Sequence, residues 1–141
     1  MERKLDGLAA TAVIFLAANL LHGLDHMRQH LAGVTAVVGI GGAVLTATAI
    51  VVAVLALRRR PRVPLIATLV GVVAALLVAA SHLAPHWSVI SDSYVDYIHP
   101  DPLAWVIMIV EIGSALAMAL VGFRRLRASN AQVRPVASHA R

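Results

Sequence analysis

The chain has 141 residues, of which 60% are hydrophobic and 13% charged, with a formal net charge of +5 and a mean hydropathy of +0.82. An apolar share above the roughly 45–50% of soluble domains excludes an ordinary soluble globular protein and points to an integral membrane protein. Cysteine is absent, which excludes disulfide staples and thiolate ligands or nucleophiles, so any metal must be held by histidine, carboxylate or backbone oxygen.

Residues 1–7 read as a short lead-in carrying Arg3 and Lys4. The first apolar run follows at 8–31. Met1 to Gly23 has the basic start and apolar centre of a secretory signal, but the run continues past Asn19 to Leu31, so this segment is expected to stay as a span. Further apolar runs occupy 34–57, 64–84 and 103–123. Each is near or above the roughly 20 residues that cross about 30 Å of hydrocarbon. In lipid every backbone amide must be satisfied within its own segment or a closed barrel, so runs of this length are helices. The expected fold is all-α: a four-transmembrane-helix domain over 8–123, with short first and second connections giving an up-down-up-down bundle. Gly39, Ala43 and Ala47 form small-xxx-small steps, as do Gly71 with Ala75 and Gly113 with Ala117; such steps let helices approach closely in lipid.

Between the third and fourth runs lies the one long connection, 85–101. Connections beyond about 12–15 residues are uncommon and usually functional or disordered. This one holds Trp87, Asp92, Tyr94, Asp96, Tyr97 and His99 with no Lys or Arg, and is expected to cap one mouth of the bundle. It ends at Asp101-Pro102, an N-cap followed by proline at the first helical position. Residues 124–141 read as a basic membrane-proximal tail trailing into disorder.

Lys and Arg beside membrane spans are retained in the cytoplasm. With both termini cytoplasmic, every one of the 12 basic residues except Arg28 lies inside. The sequence pI of about 11.1 then describes a belt facing anionic lipid headgroups. Nucleic acid is not an expected partner, since no basic-aromatic interleaving occurs. The same orientation puts His22, His26, His30, His82, His86 and His99 in the outer half of the membrane or outside it. The functional face is therefore expected to be the outer one, in a multi-pass cell-membrane protein.

Along the first helix the polar residues keep helical spacing. Asp25, His26, Gln29 and His30 are the i+3, i+4, i+7 and i+8 neighbours of His22, and Asn19 lies one turn earlier. A polar stripe on a membrane helix must face protein or water, so it marks the inner wall. Arg28 projects from another face and is expected to snorkel to headgroups. On the fourth helix Glu111 stands alone in apolar sequence. A carboxylate at that depth costs about 2.5–3.5 kcal/mol even on the lenient scale, which marks a functional site. At about 1.5 Å of rise per residue, His22 and Glu111 fall at nearly the same depth.

The favoured site is a transition-metal centre of His22, His26, His82 and Glu111, with Asp25 and His86 as second choices. Such an N/O set suits zinc, iron or copper. If the metal is hydrolytic, Glu111 or Asp25 is the candidate general base. A second reading is a b-type haem electron carrier, with His22 or His26 and His82 as axial ligands. A third is a non-catalytic subunit of a larger membrane assembly or homo-oligomer, in which the histidines are interfacial and Glu111 only fixes helix register. No P-loop, glycine-rich nucleotide motif, internal repeat or serine-nucleophile context occurs.

Overall fold

The computed structural model describes residues 6–29, 35–96 and 99–132. Among the sequence expectations, those on Arg3, Lys4, His30, Tyr97, Arg134, His139 and Arg141 lie outside the described residues. The described chain is all-helical: α1 (Gly7–Arg28), α2 (Ala36–Leu57), α3 (Val63–His82) and α4 (Pro102–Gln132). All four are long and apolar enough to cross a membrane. Their outward faces are apolar, with Ile14, Leu24, Ile40, Leu76 and Ile109 each more than half exposed, which fits a multi-pass membrane protein.

Local chemistry sets the helix ends. Asp6 caps α1 by accepting the Ala9 N–H at 2.9 Å, and Thr35 caps α2 by accepting the Val38 N–H at 3.3 Å. Asp101 does the same for α4, taking the Ala104 N–H at 3.0 Å. Side-chain oxygens at these positions satisfy amides that have no partner inside the helix. The Ala104 N–H and the Arg28 guanidinium hold the Asp101 carboxyl below the usual carboxylate range. The fourth helix differs from expectation at its far end. It runs on through Arg124, Arg125 and Arg127 to Gln132, because this stretch of Arg, Leu and Ala favours helix and contains neither glycine nor proline. Arg125 then meets Asp6, at the start of α1, at 3.3 Å.

Small side chains decide the packing. Phe15, Ala12, Ala67, Ala74 and Met118 are fully enclosed in the main core, and α3 and α4 form the closest pair. A Cβ placed on Gly71 would lie 2.5 Å from the Ala115 carbonyl oxygen and 2.9 Å from the Ala119 Cβ. At Gly122 it would lie 2.7 Å from both the Pro64 carbonyl oxygen and Thr68 Oγ1. The small-residue steps therefore act unequally. Gly71 and Ala75 are buried in the α3–α4 contact, whereas Gly113 and Ala117 turn outward, and Gly71 is met by Ala115 and Ala119 instead. On α2, Gly39, Ala43 and Ala47 are exposed, since the buried residues of that helix, Ala49, Val52, Ala53 and Ala56, all lie in its second half.

Substituting Gly71→Leu should lower the thermal midpoint in detergent by forcing α3 from α4, at a cost of about 1–3 kcal/mol as for other overpacked cores. Gly113→Leu, with open space at its Cβ position, should change it little. Equal effects of the two would place the close helix contact elsewhere.

Candidate metal centre

The polar stripe of α1 faces inward as its spacing requires: Asn19, His22 and Asp25 are buried and His26 is half-buried. Opposite them on α4 lies Glu111, 1% exposed. Its Oε1 accepts from Asn19 Nδ2 at 2.8 Å, and its Oε2 is in close ion-pair contact with His22 Nδ1. Thr46 Oγ1 in turn donates to Asn19 Oδ1 at 2.7 Å, so the network joins α1, α2 and α4. A buried carboxylate is tolerable only when paired and hydrogen-bonded, and both oxygens of Glu111 are so engaged.

The third helix delivers His82 to the same place. Ring nitrogens of His22, His26 and His82 lie within 4.8 Å of one another. The ring centroids of His22 and His26 are 4.7 Å apart, those of His22 and His82 are 4.9 Å apart, and those of His26 and His82 are 5.5 Å apart. Each Nδ1 faces an oxygen. That of His22 meets Glu111, that of His82 meets the Asp92 carbonyl oxygen at 2.9 Å, and that of His26 faces Asp92 Oδ2 at 3.6 Å. Histidines that ligate metals almost always give the other ring N–H to a carboxylate, carbonyl or water. With Nδ1 of His22 and of His82 engaged in this way, Nε2 is the remaining ligand atom of those two rings. Nitrogens sharing a tetrahedral ion at about 2.0–2.1 Å stand about 3.3 Å apart, so three imidazoles within 4.8 Å fit one ion after a modest inward rotation.

Residues 91–94 close over the cluster. The Asp92 N–H donates to the Ser81 carbonyl and the Tyr94 N–H to the His82 carbonyl, both at 2.9 Å, which occupies carbonyls left without partners at the end of α3. The Tyr94 ring packs on His82 with centroids 4.5 Å apart, and its hydroxyl faces His22 Nε2 at 3.4 Å. Burial pushes the Tyr94 hydroxyl further above its ordinary range and pushes the Asp92 carboxyl up as well. Asp92 is 1% exposed. Among the described residues neither of its carboxylate oxygens has a hydrogen-bond partner, and neither does the buried Nδ1 of His26. A separation of 3.6 Å is too long for the pair to bond directly.

The residues expected at the site divide clearly. His22, His26 and His82 converge. Glu111 stands behind His22 and outside the converging set, because the Asn19 amide and the His22 ring together hold its carboxylate. Asp25 is turned away, its Oδ1 taking Arg28 Nε at 2.7 Å and its Oδ2 taking Gln29 Nε2 at 2.6 Å. These partners, one turn up the helix, are nearer than any imidazole. Arg28 is exposed at the end of α1, and its NH2 donates to Asp101 Oδ2 at 2.8 Å, clamping α1 to the start of α4. His86 is exposed and lies outside the converging group, with its backbone N–H held by the Asp96 carboxylate at 3.0 and 3.1 Å. Both oxygens of Glu111 and both of Asp25 are engaged by side-chain partners. Asp92 and Tyr94 are the site residues that sequence reasoning placed in the capping loop without assigning them individual roles. The available signal was a loop carrying acids and aromatic rings but no Lys or Arg.

Comparison with protein-family models, with curated proteins and with solved structures gives no match. The chain is therefore a small four-helix apolar protein with a three-histidine cluster able to bind a metal ion.

Asp92→Asn should act in opposite directions in the two states of the site. In metal-free protein it removes a buried, unpartnered carboxylate and should raise the thermal midpoint. Metal affinity should fall by about 10–100-fold, the usual cost of losing a group that orients a ligand. Thermal melts with and without metal check this, and a change of the same sign in both would refute the role.

Proposed function

We propose that the protein is a multi-pass cell-membrane protein that binds a transition-metal ion through His22, His26 and His82. The observation that carries this reading is the convergence of three ring nitrogens while each Nδ1 faces an oxygen. In this reading Glu111 and Asp92 orient ligands rather than serve as ligands. Three protein nitrogens leave a coordination position open, as in catalytic rather than structural zinc sites. Zinc, iron and copper all suit imidazole. A bound ion of this kind supplies Lewis acidity and lowers the pKa of a bound water. The chain's own part is to hold the rings, to present the Tyr94 hydroxyl beside His22, and to exclude water with residues 91–94.

The proposed arrangement is an up-down-up-down bundle over 8–123 with both termini cytoplasmic and the histidine face outside. Support comes from the basic residues at 58–62 and 124–127, which lie at the helix ends far from the cluster. It also comes from the pairing of Asp6 with Arg125 and of Gly71 with Ala119, which sets α4 against the reverse course of α1 and α3. Anionic headgroups are the proposed partners of the basic end. Haem fits less well: a porphyrin must stand between its axial rings, and these three rings are already in mutual contact.

Purified in mild detergent and assayed by elemental analysis, the protein should carry close to one transition-metal ion per chain. His22→Ala and His82→Ala should each abolish retention, and Glu111→Gln should weaken affinity by about 10–100-fold. His99→Ala should leave it unchanged. Equal metal content in all four variants would remove the site, and a Soret band would replace the ion by haem.

A further inference from the structure

Beside the histidine cluster the first half of α2 stands off from α1 and α3 and leaves a cavity of about 860 Å³. Ligand sites commonly measure about 300–1,000 Å³, with mostly apolar walls and a few convergent polar groups. Both features are present. Gly39, Gly42 and Leu45 of α2, Leu77 of α3 and Leu24 of α1 give apolar walls, while Asn19, His22, His26, His82 and Glu111 gather at one end. The small residues on α2 leave the space open: among the described residues, no atom from outside the helix's own backbone lies within 4 Å of a Cβ built on Gly39, Gly41 or Gly42.

At the loop end Ser91, Asp92, Ser93 and Tyr94 cover the cluster and are at most 3% exposed. Leu20, Leu24, Val37 and Leu77, which line the cavity, are apolar and about half exposed. On helices that cross a membrane, such outward apolar residues face hydrocarbon. A molecule reaching the histidines past these residues arrives from the lipid phase and not from water.

We infer that the cavity binds a single-chain lipid with an oxygen-donor head, the head meeting the His22–His26–His82 cluster and the tail lying along the glycine face of α2. The head assignment rests on the metal reading above. The tail assignment stands on the cavity alone. An oxygen head suits the coordination position that three imidazoles leave open. A methylene that enters the cavity from lipid and not from water gains little by burial, since lipid tails are as apolar as the cavity wall. Selectivity must therefore come from the head, which explains why the polar groups are confined to one end.

The test uses the full chain in lipid nanodiscs with a diazirine-bearing long-chain fatty acid, photolysed and mapped by mass spectrometry. Labels should fall on 39–46 and 77–81, should be competed by unlabelled fatty acid, and should drop at least fivefold in Gly42→Leu while metal content stays unchanged. Removing metal with a chelator should also reduce labelling. Labels scattered over outward residues of α3 and α4, without competition, would overturn the inference even if metal is bound. Labelling of the cavity that is lost in Gly42→Leu but indifferent to bound metal would sink the head assignment alone, and the same labelling in protein that takes up no metal would sink the metal reading with it, while the lipid site stands in both.

Discussion

An ionised carboxylate inside an apolar helix bundle must find donors for its oxygens, and Glu111 finds them on a single neighbouring helix. Asn19 and His22, one turn apart on α1, take one oxygen each. This pairing fixes the rotation of α1 and its register against α4, because a shift of either helix by one residue would leave a charge buried without a partner. The cost of that error, several kcal/mol, exceeds any single apolar contact in the core. Much of the rest of the site follows from it. Once His22 is turned by Glu111, the i+4 residue His26 stacks beside it, and α3 places His82 against both.

A second constraint operates at the end of α3. Helices leave their last carbonyls unpaired, and here the chain returns to use them, with Asp92 and Tyr94 donating to Ser81 and His82. The same turn sends the Asp92 carbonyl to His82 Nδ1 and its carboxylate toward His26. One short segment thus ends a helix, orients the His82 imidazole and covers the cluster. Its cost is the buried Asp92 carboxylate, whose oxygens have no hydrogen-bond donor among the described residues. Buried groups in that condition are uncommon enough to call for an explanation such as an ion or an ordered water, and a cation at the neighbouring nitrogens would offset the charge.

The helices themselves divide into a tight pair and a loose member. Between α3 and α4 the contact at Gly71 and Gly122 brings backbones together, giving a rigid frame for His82 and Glu111. By contrast α2 is buried only in its second half, and the cavity lies against the other half. Close packing of α3 on α4, and space beside the histidine cluster, are the two features that the helices supply.

Span positions, the inward stripe of α1, the Asp101 cap and the matched depth of His22 and Glu111 could all be read from residue order, because each depends on local spacing and on the intolerance of hydrocarbon for polar groups. His82 was named with the first pair as a candidate ligand from the sequence. The particular partners were not. Whether Glu111 would ligate or orient, and whether Asp25 would face the imidazoles or Arg28, depends on which donor lies nearest in three dimensions, and sequence spacing gives only the face. Likewise Gly71, Gly113 and Gly39 look alike in sequence, and only helix packing separates the buried contact from the outward residue and the cavity wall. The continuation of α4 to Gln132 was available from propensity but was obscured by the run of arginines. Asp92 and Tyr94 could not be assigned in advance, because their roles arise when a flexible-looking loop folds back onto carbonyls it does not adjoin in sequence. The chain alone therefore determined the number of helices, their apolar character and the polar stripe. Tertiary structure decided which polar groups pair, since hydrogen bonding is satisfied between neighbours in space.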